Sequence, residues 1–160
     1  MIADKYVTTA LRAAVLAGRA IMDVYRTDFA VEHKSDDSPL TLADKQAHNL
    51  ITKHLLPLGI PILSEEGKSI PFSERSTWTT LWIVDPLDGT KEFVKRNDEF
   101  TVNIALVRDQ VPELGVIFVP VKNRLYFGCS DKGAYLLEND RLLSRLCNSG
   151  ETVLYWIRNQ

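Results

Sequence analysis

Two carboxylates, Asp85 and Asp88, stand three positions apart directly after the apolar run 81–84. Together with the carbonyl of Leu87 between them, they are oxygen donors of the kind that hard cations such as Mg²⁺ prefer. Gly89 follows at once, and a glycine permits positive φ and close approach of a ligand to the backbone. The other interpretation of this pattern is a plain Asp-Gly turn in which Asp88 caps the next helix.

A second acidic pair favours the metal interpretation. Glu65-Glu66 follows the apolar run 60–64 just as Asp85 follows its own run. If the two predicted strands are neighbours, their carboxyl ends bring Glu65, Asp85 and Asp88 together. Carboxylates placed so close repel one another, and such a cluster requires a cation. Taken alone, Glu65-Glu66 is typical of a solvated loop, and only the combination of both pairs predicts a metal site.

Asp44 has two compatible roles. Thr41 and Asp44 have the spacing of a capping box, which predicts that a helix over residues 41–56 begins at Thr41 and ends at the following Pro-Gly region. An Asp at a helix start is also able to face a site, where it would orient the hydroxyl of Thr90 toward a water molecule. The scattered histidines show no metal-ligand spacing and are predicted to be surface residues; they are His33, His48 and His54.

The elements that must position these groups follow from periodicity. Apolar residues at four- and three-residue steps predict a long helix over residues 4–25 whose face packs on the protein's own core. Residues 32–39 and 67–77 are polar and predict loops. The remaining signals predict strands at 60–64, 81–84, 100–107, 114–119, 124–129 and 134–137, with a helical turn at 91–95. Short connections favour antiparallel neighbours. The predicted fold class is therefore α+β, with two long helices packed on a mostly antiparallel sheet.

Composition excludes several classes of protein. A length of 160 residues suits one domain, and 45% hydrophobic with 25% charged residues is ordinary for a globular chain. The formal net charge of −2 gives no basic excess, so a nucleic acid polymer is not expected as a partner. Two cysteines are too few for a disulfide scaffold and suit a reducing compartment. We expect no signal peptide, no transmembrane segment and a cytoplasmic location, with peripheral membrane association left open.

The combined motifs resemble the inositol monophosphatase superfamily, whose members are Mg²⁺-dependent, lithium-sensitive phosphomonoesterases. The motifs are SPLTLAD at 38–44, LSEEG at 63–67, DPLDGT at 85–90, EFTVNIAL at 99–106 and GVIFVP at 115–120. Lys91-Glu92-Phe93 is a finer marker, because inositol phosphatases usually carry Asn-Phe at its last two positions. This version resembles the CysQ-type 3′(2′),5′-bisphosphate nucleotidases, which convert adenosine 3′,5′-bisphosphate to AMP. The resemblance thus implies a small phosphorylated nucleotide as substrate.

The resemblance also implies roles for individual residues and two or three Mg²⁺ ions. The metal ligands it implies are Glu65, Asp85, the Leu87 carbonyl and Asp88, with the Thr90 hydroxyl beside them. The residues it implies at the substrate phosphate are Glu65, Leu87, Asp88, Gly89 and Thr90. Asp44 and Thr90 resemble the catalytic pair that activates the attacking water. Two metal ions can stabilise both the attacking and the leaving oxygen of an in-line displacement, so no covalent nucleophile is needed.

The resemblance extends over roughly residues 4–137 and fades after residue 138. It predicts a metal-dependent phosphatase N-terminal domain at 1–138, a divergent tail at 139–160, and no counterpart of the family's second domain, which supplies a further metal ligand and most substrate contacts. One alternative is an inositol or sugar monophosphatase, against which Lys91-Glu92 argues. Another is a truncated, non-catalytic metal-binding or oligomerisation module, since an aromatic cluster near Tyr155 and Trp156 must dock or stay exposed. A homo-oligomer is left open.

Overall fold

The computed structural model describes residues 2–27, 39–138 and 140–149. It is an α+β structure in which helices cover one face of a single six-stranded sheet. The elements in chain order are α1 (Asp4–Tyr25), α2 (Pro39–Leu55), a 3₁₀ turn (Leu56–Leu58), β1 (Ile62–Ser64), α3 (Phe72–Arg75), β2 (Thr80–Asp88), α4 (Thr90–Lys95), β3 (Thr101–Arg108), β4 (Val111–Val119), β5 (Arg124–Cys129), β6 (Gly133–Leu137) and α5 (Asp140–Ser149). The predicted fold class is confirmed.

The sheet follows the chain, with strand order β1-β2-β3-β4-β5-β6. β1 pairs with β2 in parallel, and every later neighbour is antiparallel. The connections between strands contain residues with left-handed backbone: Asp109 and Gln110 after β3, Asn123 after β4 and Gly133 at the start of β6. Short connections of this kind build a meander, as predicted.

Helix α1 has the predicted bounds and packs one face into the core. Val7, Leu11 and Ile21 have no solvent exposure. Gly18 allows the helix to approach the sheet closely, because a Cβ built there would lie only 2.4 Å from the ring of Phe118. The prediction that this stripe is buried against the chain's own core, beside α2, is confirmed.

The predicted start of α2 is wrong. The helix begins at Pro39, so Thr41 lies inside its first turn and is not the N-cap. Proline is favoured at the first helical position because its missing N–H would have no intrahelical partner there. The predicted end is confirmed: the 3₁₀ turn closes on Gly59, which has φ 70°. The predicted loop 32–39 falls outside the described residues except for Pro39.

Two further regions differ from the prediction. The predicted loop 67–77 contains the short helix α3, and the strand predicted at 60–64 is limited to Ile62–Ser64. Beyond residue 138, α5 packs on α1 and buries Leu143 and Leu146 completely. The aromatic cluster near Tyr155 lies outside the described residues, and the boundary at 138 stays a prediction. Within the described ranges, no helix combines the length and apolar character needed to cross a bilayer.

Candidate metal site

The parallel pairing of β1 with β2 places the carboxyl end of β1 beside the residue that precedes Asp85. Ser64 lies opposite Val84, and the backbone N–H of Glu65 donates to the Val84 carbonyl at 3.1 Å. The next residue on β2 is Asp85, so the two acidic residues emerge side by side. The predicted condition for a shared site, that these strands are neighbours, is confirmed.

β2 does not end at Val84, as predicted, but continues to Asp88. Asp85 lies opposite Asn103 on β3, and Asp88 lies opposite Thr101, so β2 contains one residue more than β3 between these pairs. This is a β-bulge, a place where a sheet tolerates proline. The two residues between the carboxylates, proline and leucine, are both buried. Cross-strand partners share a face of the sheet. The bulge therefore places Asp85 and Asp88 on the same face, the one that points away from α1 and α2.

The charges at this edge are poorly compensated. Burial raises the pKa of Asp85 to about 6. The charges of Glu65 and Asp88 and a hydrogen bond with Glu65 add to this rise, and a hydrogen bond from the Leu87 backbone N–H opposes it. None of the ion pairs in the described ranges involves any of these three acidic residues. The electrostatics therefore favour a proton or a cation at this position.

The donor chemistry at the edge fits a hard cation. Glu65, Asp85 and Asp88 offer carboxylate oxygens, and Leu87 and Thr90 lie between and beside them with a carbonyl and a hydroxyl oxygen. Mg²⁺ prefers oxygen ligands of these types. Across residues 2–27, 39–138 and 140–149, no three His, Cys, Asp or Glu side chains form a complete metal-holding group. The side chains of Glu65, Asp85 and Asp88 therefore do not make a complete metal site by themselves.

Asp88 is held by a residue to which no role was assigned from the sequence. The side-chain amide of Asn103 donates to Asp88 Oδ2 at 3.0 Å, and the Thr101 hydroxyl donates to Asn103 Oδ1 at 3.2 Å. One feature of the sequence pointed to Asn103: it is a polar residue between Val102 and Ile104, which are buried, on a strand whose side chains alternate between the two faces. Its partner depends on the bulge and could not be read from that pattern.

Gly89 joins this edge to α4 under tight constraints. Its φ is 92°, and a Cβ built on it would lie 2.6 Å from the Glu99 carbonyl oxygen. The Phe93 N–H donates to the Gly89 carbonyl at 2.9 Å, which closes the first turn of α4. Phe93 then packs against Tyr25 and Phe100, with ring centroids 5.1 and 5.4 Å away. The turn is therefore fixed to the core on the side of α4.

Asp44 is the one buried charged side chain in the described part of the chain, with 4% exposure. Its helix contacts both β2 and α4, which carry Asp85 and Thr90. One turn further along α2, His48 hydrogen bonds through Nδ1 to the Ser64 hydroxyl at 2.9 Å. The prediction that His48 is a plain surface residue is wrong, because it is half-buried and links α2 to the end of β1. His54 is half-buried too, and His33 lies outside the described residues.

The sequence profile of the Inositol monophosphatase family matches residues 3–152. The chain belongs to this family. It is 49% identical over 120 residues to the 3′(2′),5′-bisphosphate nucleotidase CysQ of Salmonella typhimurium, covering 72% of this chain and 48% of that protein. Over 134 residues it is 37% identical to the CysQ of Haemophilus influenzae, covering 82% and 50% of the two chains. The chain thus spans about half the length of these relatives.

Solved structures of family members show the same fold. The CysQ of Bacteroides thetaiotaomicron superposes with a TM-score of 0.78 at 52% identity, covering 82% of this chain and 48% of that one. An inositol monophosphatase from Zymomonas mobilis gives a TM-score of 0.67 at 30% identity, covering 82% and 49%. Membership in the inositol monophosphatase family confirms the predicted relationship. The roles predicted for Asp44, Glu65, Asp85, Leu87, Asp88, Gly89 and Thr90 stay predictions.

Proposed function

We propose that this chain carries the metal-binding part of a Mg²⁺-dependent phosphomonoesterase that removes the 3′-phosphate of adenosine 3′,5′-bisphosphate and releases AMP. The substrate choice is supported by the relatives at 49% and 52% identity, which are both named CysQ, whereas the inositol monophosphatase of Zymomonas mobilis is 30% identical. Lys91-Glu92 agrees with that choice. Two free, buried cysteines, Cys129 and Cys147, suit a cytoplasmic setting.

One observation carries the metal-dependent chemistry. β1 ends beside Val84 of β2, and Glu65, Asp85 and Asp88 together produce uncompensated negative charge, with the pKa of Asp85 raised to about 6. A fold that needed these residues only for packing would gain by neutralising them. Acidic residues kept in this state at strand ends are typical of a site that binds a cation.

The proposed roles follow from the chemistry of each group. Glu65, Asp85, the Leu87 carbonyl and Asp88 would hold Mg²⁺, in two or three sites. When bound, Mg²⁺ supplies the positive charge that offsets the carboxylates and the phosphoryl group and that makes water a better nucleophile.

The remaining residues act on the water and the phosphate. Asp44, which is buried on α2, would accept a hydrogen bond from the Thr90 hydroxyl, and this pair would orient the attacking water. Gly89 and Thr90 would supply backbone amides to the phosphate. The missing side chain of Gly89 makes room for the Glu99 backbone, which holds this turn in place. The departing 3′-oxygen leaves with a proton from solvent, and no covalent intermediate with the protein forms.

Phosphate release tests this function directly. The chain is assayed with adenosine 3′,5′-bisphosphate and with inositol 1-phosphate while Mg²⁺ is titrated, and we expect Mg²⁺-dependent release that favours the nucleotide. Asp88→Asn should lower the rate of phosphate release more than about 100-fold. Losing a residue that only orients a metal ligand costs about 10- to 100-fold, and losing the ligand itself should cost more. The matched control is Asp109→Asn, in the β3–β4 turn at the far end of the sheet, which should leave the rate unchanged.

Each other outcome has a definite meaning. Preference for inositol 1-phosphate would refute the nucleotide substrate and favour the inositol phosphatase alternative. No release above the Asp88→Asn background at any Mg²⁺ concentration would refute the enzymatic proposal for this chain. Mg²⁺ binding without release would then support a non-catalytic metal-binding module.

A further inference from the structure

A short chain of hydrogen bonds on β3 ends at one acidic residue of the proposed metal site. The Thr101 hydroxyl donates to Asn103 Oδ1, and the Asn103 amide donates to Asp88 Oδ2. All three side chains lie on one face of the sheet because the β2 bulge brings Asp88 opposite Thr101. In a regular ladder, Asp88 would have pointed toward the other face.

We propose that Asn103 is a positioning residue that fixes the carboxylate of Asp88 for the cation; the inference rests on the proposed function. The hydrogen bond commits Oδ2 to the amide and so limits rotation of the carboxylate. Residues that orient metal ligands in this way contribute to metal affinity without touching the ion.

The chemical type of Asn103 suits this task. Arginine or lysine at this position would neutralise Asp88 and compete with a cation, whereas an amide orients the carboxylate and leaves its charge in place. The amide also has a defined direction. Because the Thr101 hydroxyl donates to Oδ1, the carbonyl end of the amide is occupied and the NH₂ group is directed to Asp88. A reversed amide would place two oxygens against each other.

The neighbours of Asn103 supply no other reason for an amide there. On β4 it lies opposite Ile117, an exposed apolar residue that offers it no side-chain hydrogen-bonding group. On β2 it lies opposite Asp85, the proposed ligand next to Asp88 in the cluster. Both hydrogen-bonding ends of Asn103 are thus accounted for by Thr101 and Asp88 alone.

Calorimetric titration with Mg²⁺ tests this inference without any activity assay. Asn103→Leu retains a similar volume and removes the donor, and its Mg²⁺ dissociation constant should rise about 10- to 100-fold. Thr101→Val removes the hydrogen bond to the Asn103 carbonyl oxygen. It should raise the Mg²⁺ dissociation constant by at least about threefold, which is less than the rise expected for Asn103→Leu. The control Ile117→Ala alters the same face without touching a carboxylate and should remain within about twofold of the unchanged chain. Thermal unfolding in EDTA checks that each variant is folded.

The outcomes separate this inference from the function on which it rests. If the unchanged chain binds Mg²⁺ and Asn103→Leu binds it equally well, the positioning role is refuted and the metal site stands. If Ile117→Ala lost as much Mg²⁺ affinity as Asn103→Leu, the positioning role would also be refuted, because any change on this face of the sheet would then have the same effect. If Asn103→Leu does not fold, unchanged affinity in Thr101→Val refutes it. Absence of Mg²⁺ binding to the unchanged chain overturns both proposals.

Discussion

Asp85→Asn is expected to stabilise the protein in EDTA at neutral pH and to abolish its stabilisation by Mg²⁺. In the folded protein the pKa of Asp85 is about 6, above its ordinary value of 3.8. The folded state therefore holds that proton more tightly than the unfolded chain does. The stability contributed by this group is fully present below about pH 4 and is lost as the pH rises through about 6.

The size of this effect is moderate because Asp85 is only half-buried and solvent screens its charge. We expect the metal-free protein to lose on the order of 1–2 kcal/mol between about pH 4 and pH 7, after allowing for screening. Asparagine carries no charge and is still able to donate to Glu65, so the variant should lack this loss. Urea unfolding in EDTA across that pH range measures both profiles.

Mg²⁺ should reverse the order of the two proteins. At a concentration 100 times its dissociation constant, the ion should stabilise the unchanged chain by about 2.7 kcal/mol at neutral pH. Asp85→Asn should gain little, because a neutral amide replaces a carboxylate ligand. Identical pH profiles in EDTA, or equal stabilisation by Mg²⁺, would contradict the assignment of Asp85 to a cation site.

Gly89→Ala is expected to have the second large effect, on both stability and phosphate release. Alanine at φ 92° is strained, and its Cβ would lie 2.6 Å from the Glu99 carbonyl oxygen and 3.1 Å from Phe100 Cα. Both of these atoms belong to the backbone, so the steric clash can be removed only if the turn that joins β2 to α4 shifts. We expect a loss of about 2–4 kcal/mol in the free energy of unfolding. The shift would displace Asp88 and Thr90, and phosphate release should fall more than about 100-fold.

Two other glycines separate the causes of this effect. Gly59 has φ 70° but no atom within 4 Å of the position that a Cβ would take, so Gly59→Ala reports strain alone, at about 1 kcal/mol. Gly115 lies within β4 with open space around it, and Gly115→Ala should change stability by less than about 0.5 kcal/mol. If Gly89→Ala is no worse than Gly59→Ala, the backbone contact with Glu99 does not constrain the turn.

Sequence patterns predicted the parts of this fold in which periodicity is uninterrupted. α1 and β5 have the predicted bounds because their apolar residues recur regularly from end to end. The adjacency of β1 and β2, which unites Glu65 with Asp85, was stated as a condition and is confirmed. The signal for α5 was present as well, since Leu143, Leu146 and Cys147 have helical spacing and are buried, yet the surrounding polar residues obscured it.

The bulge in β2 could not be predicted from periodicity. Proline after Asp85 normally ends a strand, and two consecutive buried residues break the alternation on which strand prediction depends. The bond from Asn103 to Asp88 follows from that bulge, so it depends on register between strands rather than on any local pattern. Likewise, the start of α2 was misplaced because a capping-box spacing at Thr41 competes with the preference of proline for the first helical position.

The central claim is that the end of β1 and the adjoining bulge of β2 bind a divalent cation, and its most direct test is a crystal structure with Mn²⁺. Mn²⁺ shares the preference of Mg²⁺ for carboxylate and carbonyl oxygens, and its anomalous scattering locates it. We predict an anomalous peak within coordination distance of Glu65 and Asp85, which is lost in Asp85→Asn crystals. Occupied Mn²⁺ positions elsewhere, with none at these two carboxylates, would contradict the claim.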